Sequence, residues 1–176
     1  MIFKELPLKG SFEITLERRS DNRGFFARAF CASELRAKRL ESNCVQCNTS
    51  WNYKAGTLRG MHLQRDPYAE VKVVRCIRGT VYDVIVDLRK HSETYLKWAG
   101  IELSAEKRNA IYVPIGFAHG YQALTDDCEV FYMVSQCYKP DYERGYRWND
   151  PAFAIKWPLE HPILSPKDAA HPEYSE

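Results

Sequence analysis

His62, in Leu58-Arg59-Gly60-Met61-His62-Leu63-Gln64, and His119, in Val113-Pro114-Ile115-Gly116-Phe117-Ala118-His119-Gly120, are the residues whose settings point most directly to chemistry. Each lies in or beside an apolar, strand-like run, so a β-sheet could aim both imidazoles into one cavity. A neutral imidazole there takes up a proton near physiological pH, which few side chains do unaided. The other histidines, His91, His161 and His171, fall in charged or proline-flanked stretches and read as surface.

Strand alternation gives the first geometric expectation. Gly60, His62 and Gln64 share one face and Met61 and Leu63 the other, so burying the apolar pair turns His62 to the opposite side, the cavity of a barrel. In Val71-Lys72-Val73-Val74-Arg75-Cys76-Ile77, Lys72 shares a face with Val74 and Cys76. A lysine so placed either snorkels at an edge or is held inward beside an anion. Tyr132, within Glu129-Val130-Phe131-Tyr132-Met133-Val134, is either a core ring with a satisfied hydroxyl or a proton donor. Arg23, Arg28 and Arg59 could grip a diphosphate through forked, charge-assisted hydrogen bonds, or simply be solvated.

The elements that must position these groups are short β-rich runs separated by turn residues from Val45 to Tyr138, which predicts an all-β sandwich or barrel. Clear strands are 71–77, 80–88, 95–103, 110–113 and 128–134. Arg78-Gly79 supplies a tight turn, so the first two should pair as a hairpin, and Gly116 and Gly120 should bracket a second bend. One short helix is expected at Ser33–Leu40, with Ser33 as cap and Glu34 in the first turn. Prolines at 140, 151, 158, 162, 166 and 172 predict an extended tail over the barrel rather than another sheet.

The 176 residues suit one domain, with 25 basic and 23 acidic residues giving a net charge of +2 and no polybasic stripe for nucleic acid or anionic lipid. Small molecules or a second copy are the expected partners. Met1-Ile2-Phe3-Lys4-Glu5-Leu6-Pro7 has no signal-like apolar stretch and no window is long enough to span a bilayer, so a cytoplasmic protein is expected. The six cysteines are expected to be free thiols, including the Cys44-Val45-Gln46-Cys47 pair in or near a strand.

Pro114-x-Gly116-x-x-His119 resembles the second motif of the cupins, and His62-x-Gln64 with Glu70 and Gly79 resembles a degraded first motif. That resemblance leaves room for a metal-dependent cupin, oxygenase-like, using His62, Gln64, Glu70 and His119. Glutamine in place of a histidine would lower its affinity for a transition metal. A fuller set of ordered segments is similar to the dTDP-4-dehydrorhamnose 3,5-epimerase family: Asp21–Phe26, Gln46–Ser50, Thr57–Gln64, Lys72–Cys76, Val84–Arg89, Val113–Gly120, Trp148–Pro151 and Ile155–Pro158.

This second resemblance implies a cupin jelly-roll barrel, a homodimer, and epimerisation of a nucleotide-linked 4-keto-6-deoxy sugar without metal or redox cofactor. By family pattern His62 matches the base, Asp168 the carboxylate that orients it, Tyr132 the opposite-face acid, and Lys72 the group that stabilises the enolate. Substrate contacts carry over to Arg23, Gln46, Asn48, Arg59, His119, Glu143 and Lys167. Where the family pattern has a glutamate that contacts the nucleotide, this chain has Arg28, and a charge reversal there predicts a changed nucleotide preference. A sugar-nucleotide-binding module without turnover is the remaining alternative.

Overall fold

The computed structural model describes residues 1–175. Along the chain come β1 (Ile2–Glu5), β2 (Phe12–Thr15), β3 (Arg19–Asp21), β4 (Gly24–Phe26), α1 (Ala32–Ala37), β5 (Gln46–Asn52), β6 (Leu58–Gln64) and β7 (Lys72–Arg78). There follow β8 (Thr80–Asp87), β9 (Trp98–Ser104), β10 (Ala110–Val113), β11 (Phe117–Ala123), β12 (Cys128–Val134), a 3-10 turn (Pro140–Tyr142), β13 (Glu143–Gly145) and α2 (Pro166–Ala169). A six-stranded sheet in the order β1-β2-β10-β7-β12-β5 faces a five-stranded sheet in the order β13-β6-β11-β8-β9, and β3 and β4 form a separate ribbon.

Between the sheets lies a core of Val74, Cys76, Val81, Ile85, Phe117, Tyr121 and Val130 with their neighbours. The outer face of the six-stranded sheet is covered by α1 through Leu35, together with Phe3, Phe12 and Phe30. The outer face of the five-stranded sheet is covered by the tail, whose Phe153, Ile155, Tyr146 and Trp157 pack on Met61, Val84, Val86 and Ala118. Strand β8 is therefore buried on both faces, with Val81 and Ile85 facing the inner core and Val84 and Val86 the tail. Met61 is fully buried under that tail, and burial of such a side chain stabilises by roughly 1.5–3 kcal/mol. The same burial turns its neighbour His62 inward.

The expected β7–β8 hairpin does not form. Gly79 takes φ +73° and sends the chain from the six-stranded sheet to the five-stranded one, so β7 pairs with β10 and β12 while β8 pairs with β11 and β9. A turn residue specifies that the chain bends and leaves open which sheet it bends into. Gly116 does turn between β10 and β11, but Gly120 lies inside β11. There a Cβ on Gly60 would come within 2.6 Å of the Gly120 Cα, so the two strands approach as closely as glycines allow.

Strand β9 begins three residues later than expected, because Leu96 adopts φ +61° and prolongs the turn. The helix spans Ala32–Ala37 and its cap position is Cys31, not Ser33, with no side-chain capping bond. The Ser33 hydroxyl lies 3.0 Å from the Cys31 sulfur instead. Arg39, at φ +59°, closes the helix before Leu40. Glu34 does sit in the first turn, where its carboxylate accepts from the Met1 ammonium at 2.6 Å and from Arg28 at 2.7 Å. The tail is extended as expected except for the 3-10 turn at Pro140–Tyr142, β13, which adds a three-residue strand to β6, and the single turn of α2.

Candidate active site

The sequence builds one wall of a cleft from β6 and the tail. His62 pairs in register with His119 of β11 on one side and Gly145 of β13 on the other. Asp168 is presented by α2, whose start is fixed by Ser165 as cap and Pro166 in the first turn. The Ser165 hydroxyl accepts from the Asp168 N–H at 3.0 Å and donates to Asp168 Oδ2 at 2.8 Å. That leaves Oδ1 to accept from His62 Nε2 at 2.6 Å, which assigns the proton to Nε2 and leaves Nδ1 as the basic nitrogen. Burial draws Asp168 towards the neutral acid, but the hydrogen bond and charge of His62 and the Ser165 bond outweigh it, so its carboxyl lies below the usual aspartate range.

The opposite wall comes from β7 and β12. Tyr132 pairs with Val74 and Val134 with Lys72, so Tyr132 and Lys72 are diagonal neighbours on the inner face. Lys72 Nζ lies 3.1 Å from Glu70 Oε1. Burial, with the charge of Glu70, pushes the Tyr132 phenol up against the opposing pull of Arg59, so it keeps its proton at neutral pH. His62, Lys72 and Tyr132 line both of two adjoining cavities, of about 350 Å³ and about 200 Å³. The larger is completed by Gln46, Asn48, Tyr138 and Glu143, and the smaller by Arg59, His119, Tyr121 and Asp168.

A family model described as dTDP-4-dehydrorhamnose 3,5-epimerase matches residues 5–176. A curated relative of that name from Methanothermobacter thermautotrophicus is 43% identical over 169 residues, covering 94% of this chain and 90% of its own length. The chain belongs to the dTDP-4-dehydrorhamnose 3,5-epimerase family. A crystal structure of such an epimerase from Elizabethkingia anophelis superposes with a TM-score of 0.95 at 37% identity, covering 99% of this chain and 96% of that one. Another, from Bacillus anthracis with TDP and PPi bound, gives 0.94 at 38% identity, covering 98% and 99%. The architecture is thus the cupin jelly roll of these epimerases, and the protein is an isomerase.

Against the family pattern, the cleft gathers His62, Asp168, Lys72, Tyr132, Gln46, Asn48, Arg59, His119 and Glu143. Lys167 stands at its rim, bonded through Nζ to Glu143 Oε2, which also accepts from Tyr138 at 2.8 Å. Arg59 is braced by Asn52 Oδ1 at 2.9 Å and the Trp51 carbonyl at 3.1 Å. Gln46 donates to Asn48 at 2.8 Å. Arg23 and Arg28 do not line the cleft of their own chain. Arg23 is 85% exposed on the β3–β4 ribbon and paired with Asp21, while Arg28 is paired with Glu34.

The four cupin metal-site positions do not converge on one point. Gln64 turns its amide nitrogen to Glu70, Tyr68 and Cys137, Glu70 pairs with Lys72, and His119 faces Asp83. Among the described residues, the group that sets three ligand-type atoms within 4.8 Å is His62, Asp168 and His171. His171 corrects the sequence reading, which placed it on the surface: it is half-buried, its ring packed against Gly145 beside His62. A signal existed in the three-residue step from Asp168 to His171, which puts both on one side of a helical turn. Asp83, the carboxylate behind His119, was also missed, although an acid inside Val81-Tyr82-Asp83-Val84 is conspicuous.

Proposed function

We propose that this epimerase acts on a nucleotide-diphosphate-linked 4-keto-6-deoxyhexose at C3, C5 or both, with His62 as base and Tyr132 as acid. The observation that carries the reading is that these two groups stand on opposite sheets of one cleft, as inversion requires. The C4 ketone acidifies the hydrogens on C3 and C5. Nδ1 of His62 takes one, the electron pair moves onto the C4 oxygen as an enolate, and Tyr132 returns a proton to the other face of the carbon. Lys72 stabilises the negative charge that grows on the oxygen. Asp168, held ionised, stabilises the imidazolium.

Arg59 takes the diphosphate, Gln46, Asn48, Glu143 and Lys167 contact sugar or base, and His119 contacts hydroxyl or phosphate oxygens. Arg23 and Arg28 serve a homodimer, in which the exposed β3–β4 ribbon with Phe25 and Phe26 reaches the partner's cleft. Their distance from their own cleft and the exposure of both rings support that arrangement. No helix among the described residues is long and apolar enough to cross a membrane, and the free thiols suit a reducing cytoplasm.

The test is incubation with dTDP-linked and other NDP-linked 4-keto-6-deoxyhexoses in deuterated water, followed by NMR at C3 and C5. Deuterium should appear at each inverted carbon, and label at one carbon alone would define a single-site epimerase. Absence of label with every such sugar would sink the proposal.

A further inference from the structure

The tail brings a second imidazole to the base. His171 follows α2 directly, its side chain is 11% exposed, and its Nε2 lies 3.4 Å from Asp168 Oδ1, the oxygen already bonded to His62. That nitrogen is buried without a hydrogen-bond partner, a condition native structures rarely tolerate without a reason. The His171 and His62 rings meet edge to face, with centroids 5.4 Å apart and planes at 78°.

Two further observations show that the chain is built around this contact. Gly145, the register partner of His62, has no room for a side chain: a Cβ there would lie 2.0–2.3 Å from the ring atoms of His171. Beyond His171 the tail is tied down again, by Arg147 N–H to the Pro172 carbonyl at 3.0 Å and by the Arg147–Glu173 ion pair at 2.7 Å. The imidazole is thus held from α2 on one side and from Pro172 on the other, over a seat that only glycine leaves open.

We propose that His171 is a positioning residue for the His62–Asp168 base, fixing the plane of the His62 ring and filling the space beside Asp168. Burial and the neighbouring charge of His62 hold the His171 imidazole below its usual range. Without it, His62 and Asp168 would share a void over Gly145, and misplacement of a catalytic group by an ångström costs up to about a hundredfold in rate.

The inference rests on His62 being the base, and the variants separate the two. His171→Ala should lower kcat about tenfold with KM within about twofold of the parent, and His171→Gln, which refills the space beside His62 and Asp168, should recover most of the loss. Gly145→Ala should reproduce the His171→Ala defect with the histidine still present, and it serves if His171→Ala does not fold. A His171→Ala kcat equal to the parent's would overturn the role of His171, as would a glutamine variant no better than alanine. A fully active His62→Ala would instead overturn the base itself.

Discussion

Two histidine–aspartate pairs stand side by side on the five-stranded sheet, and they are opposites. His62 and its carboxylate meet at the cleft, with Asp168 delivered by a separate helical turn whose cap supplies two further bonds. His119 donates Nε2 to both oxygens of Asp83, at 2.9 and 3.1 Å, from the adjacent strand β8, and Asp83 is wholly buried. Burial dominates at Asp83 and pushes its carboxyl up despite the imidazole, whereas at Asp168 the opposing hydrogen bonds prevail and the carboxyl is driven down. On the proposed roles, the same two residue types make a base backed by a fixed negative charge in one place and a rigid ligand-facing imidazole in the other. What separates them is how deeply each carboxylate is buried and how many donors it is offered, which a list of residues does not reveal.

The sharpest way to break the contrast is to remove each histidine. His62→Ala should abolish deuterium exchange at both carbons, a loss of roughly 10²–10⁴-fold, while His119→Ala should raise KM about tenfold and leave exchange measurable by NMR. Equal damage from the two variants would erase the distinction. Tyr132→Phe should uncouple the halves of the reaction. Deuterium still enters from the His62 side but inverted product falls by about 10²-fold, read by comparing label with product in one NMR series.

Asp168→Asn should lower kcat by about 10²-fold, because the imidazolium loses its counter-charge, whereas Asp83→Asn should act mainly on KM in steady-state assays. The smallest effect is on stability against pH. Asp168 lies below its ordinary 3.8, so its contribution is fully present above that value and is lost as pH falls through the folded value. Asp83 is raised, so its contribution is present below 3.8 and lost as pH rises through the folded value. Urea midpoints measured across an acidic pH series should show the deficit of Asp168→Asn shrinking towards acid and that of Asp83→Asn growing.

What the sequence disclosed follows the range of each signal. Alternation around His62 is local, and it correctly turned that imidazole into the cleft, because Met61 buries the opposite face; at Lys72 the same alternation left edge and interior open, and only the family resemblance favoured the interior. Strand limits at Ala110–Val113 and Cys128–Val134 were legible because their signal is equally local. Which strands pair was not: Arg78-Gly79 is a turn in either topology, and only the packing of two sheets decides between hairpin and crossing. Asp168 was reached through family resemblance, since no local pattern ties it to His62 106 residues away. His171 was lost because proline flanks suggest exposure, while its burial depends on the absence of a side chain at Gly145.

The C-terminal origin of Asp168 puts an order on the assembly of the enzyme. Both sheets are complete at β13 and the tail that buries Met61 reaches Trp157, so the elements that place His62, Lys72 and Tyr132 all precede Ser165, Asp168 and His171 in the chain. Until those three emerge, the cleft holds an imidazole with no carboxylate behind it. On the proposed roles, proton abstraction is then the last property the chain acquires, and a chain cut short before Ser165 would keep the walls of the cleft with the proposed base unsupported.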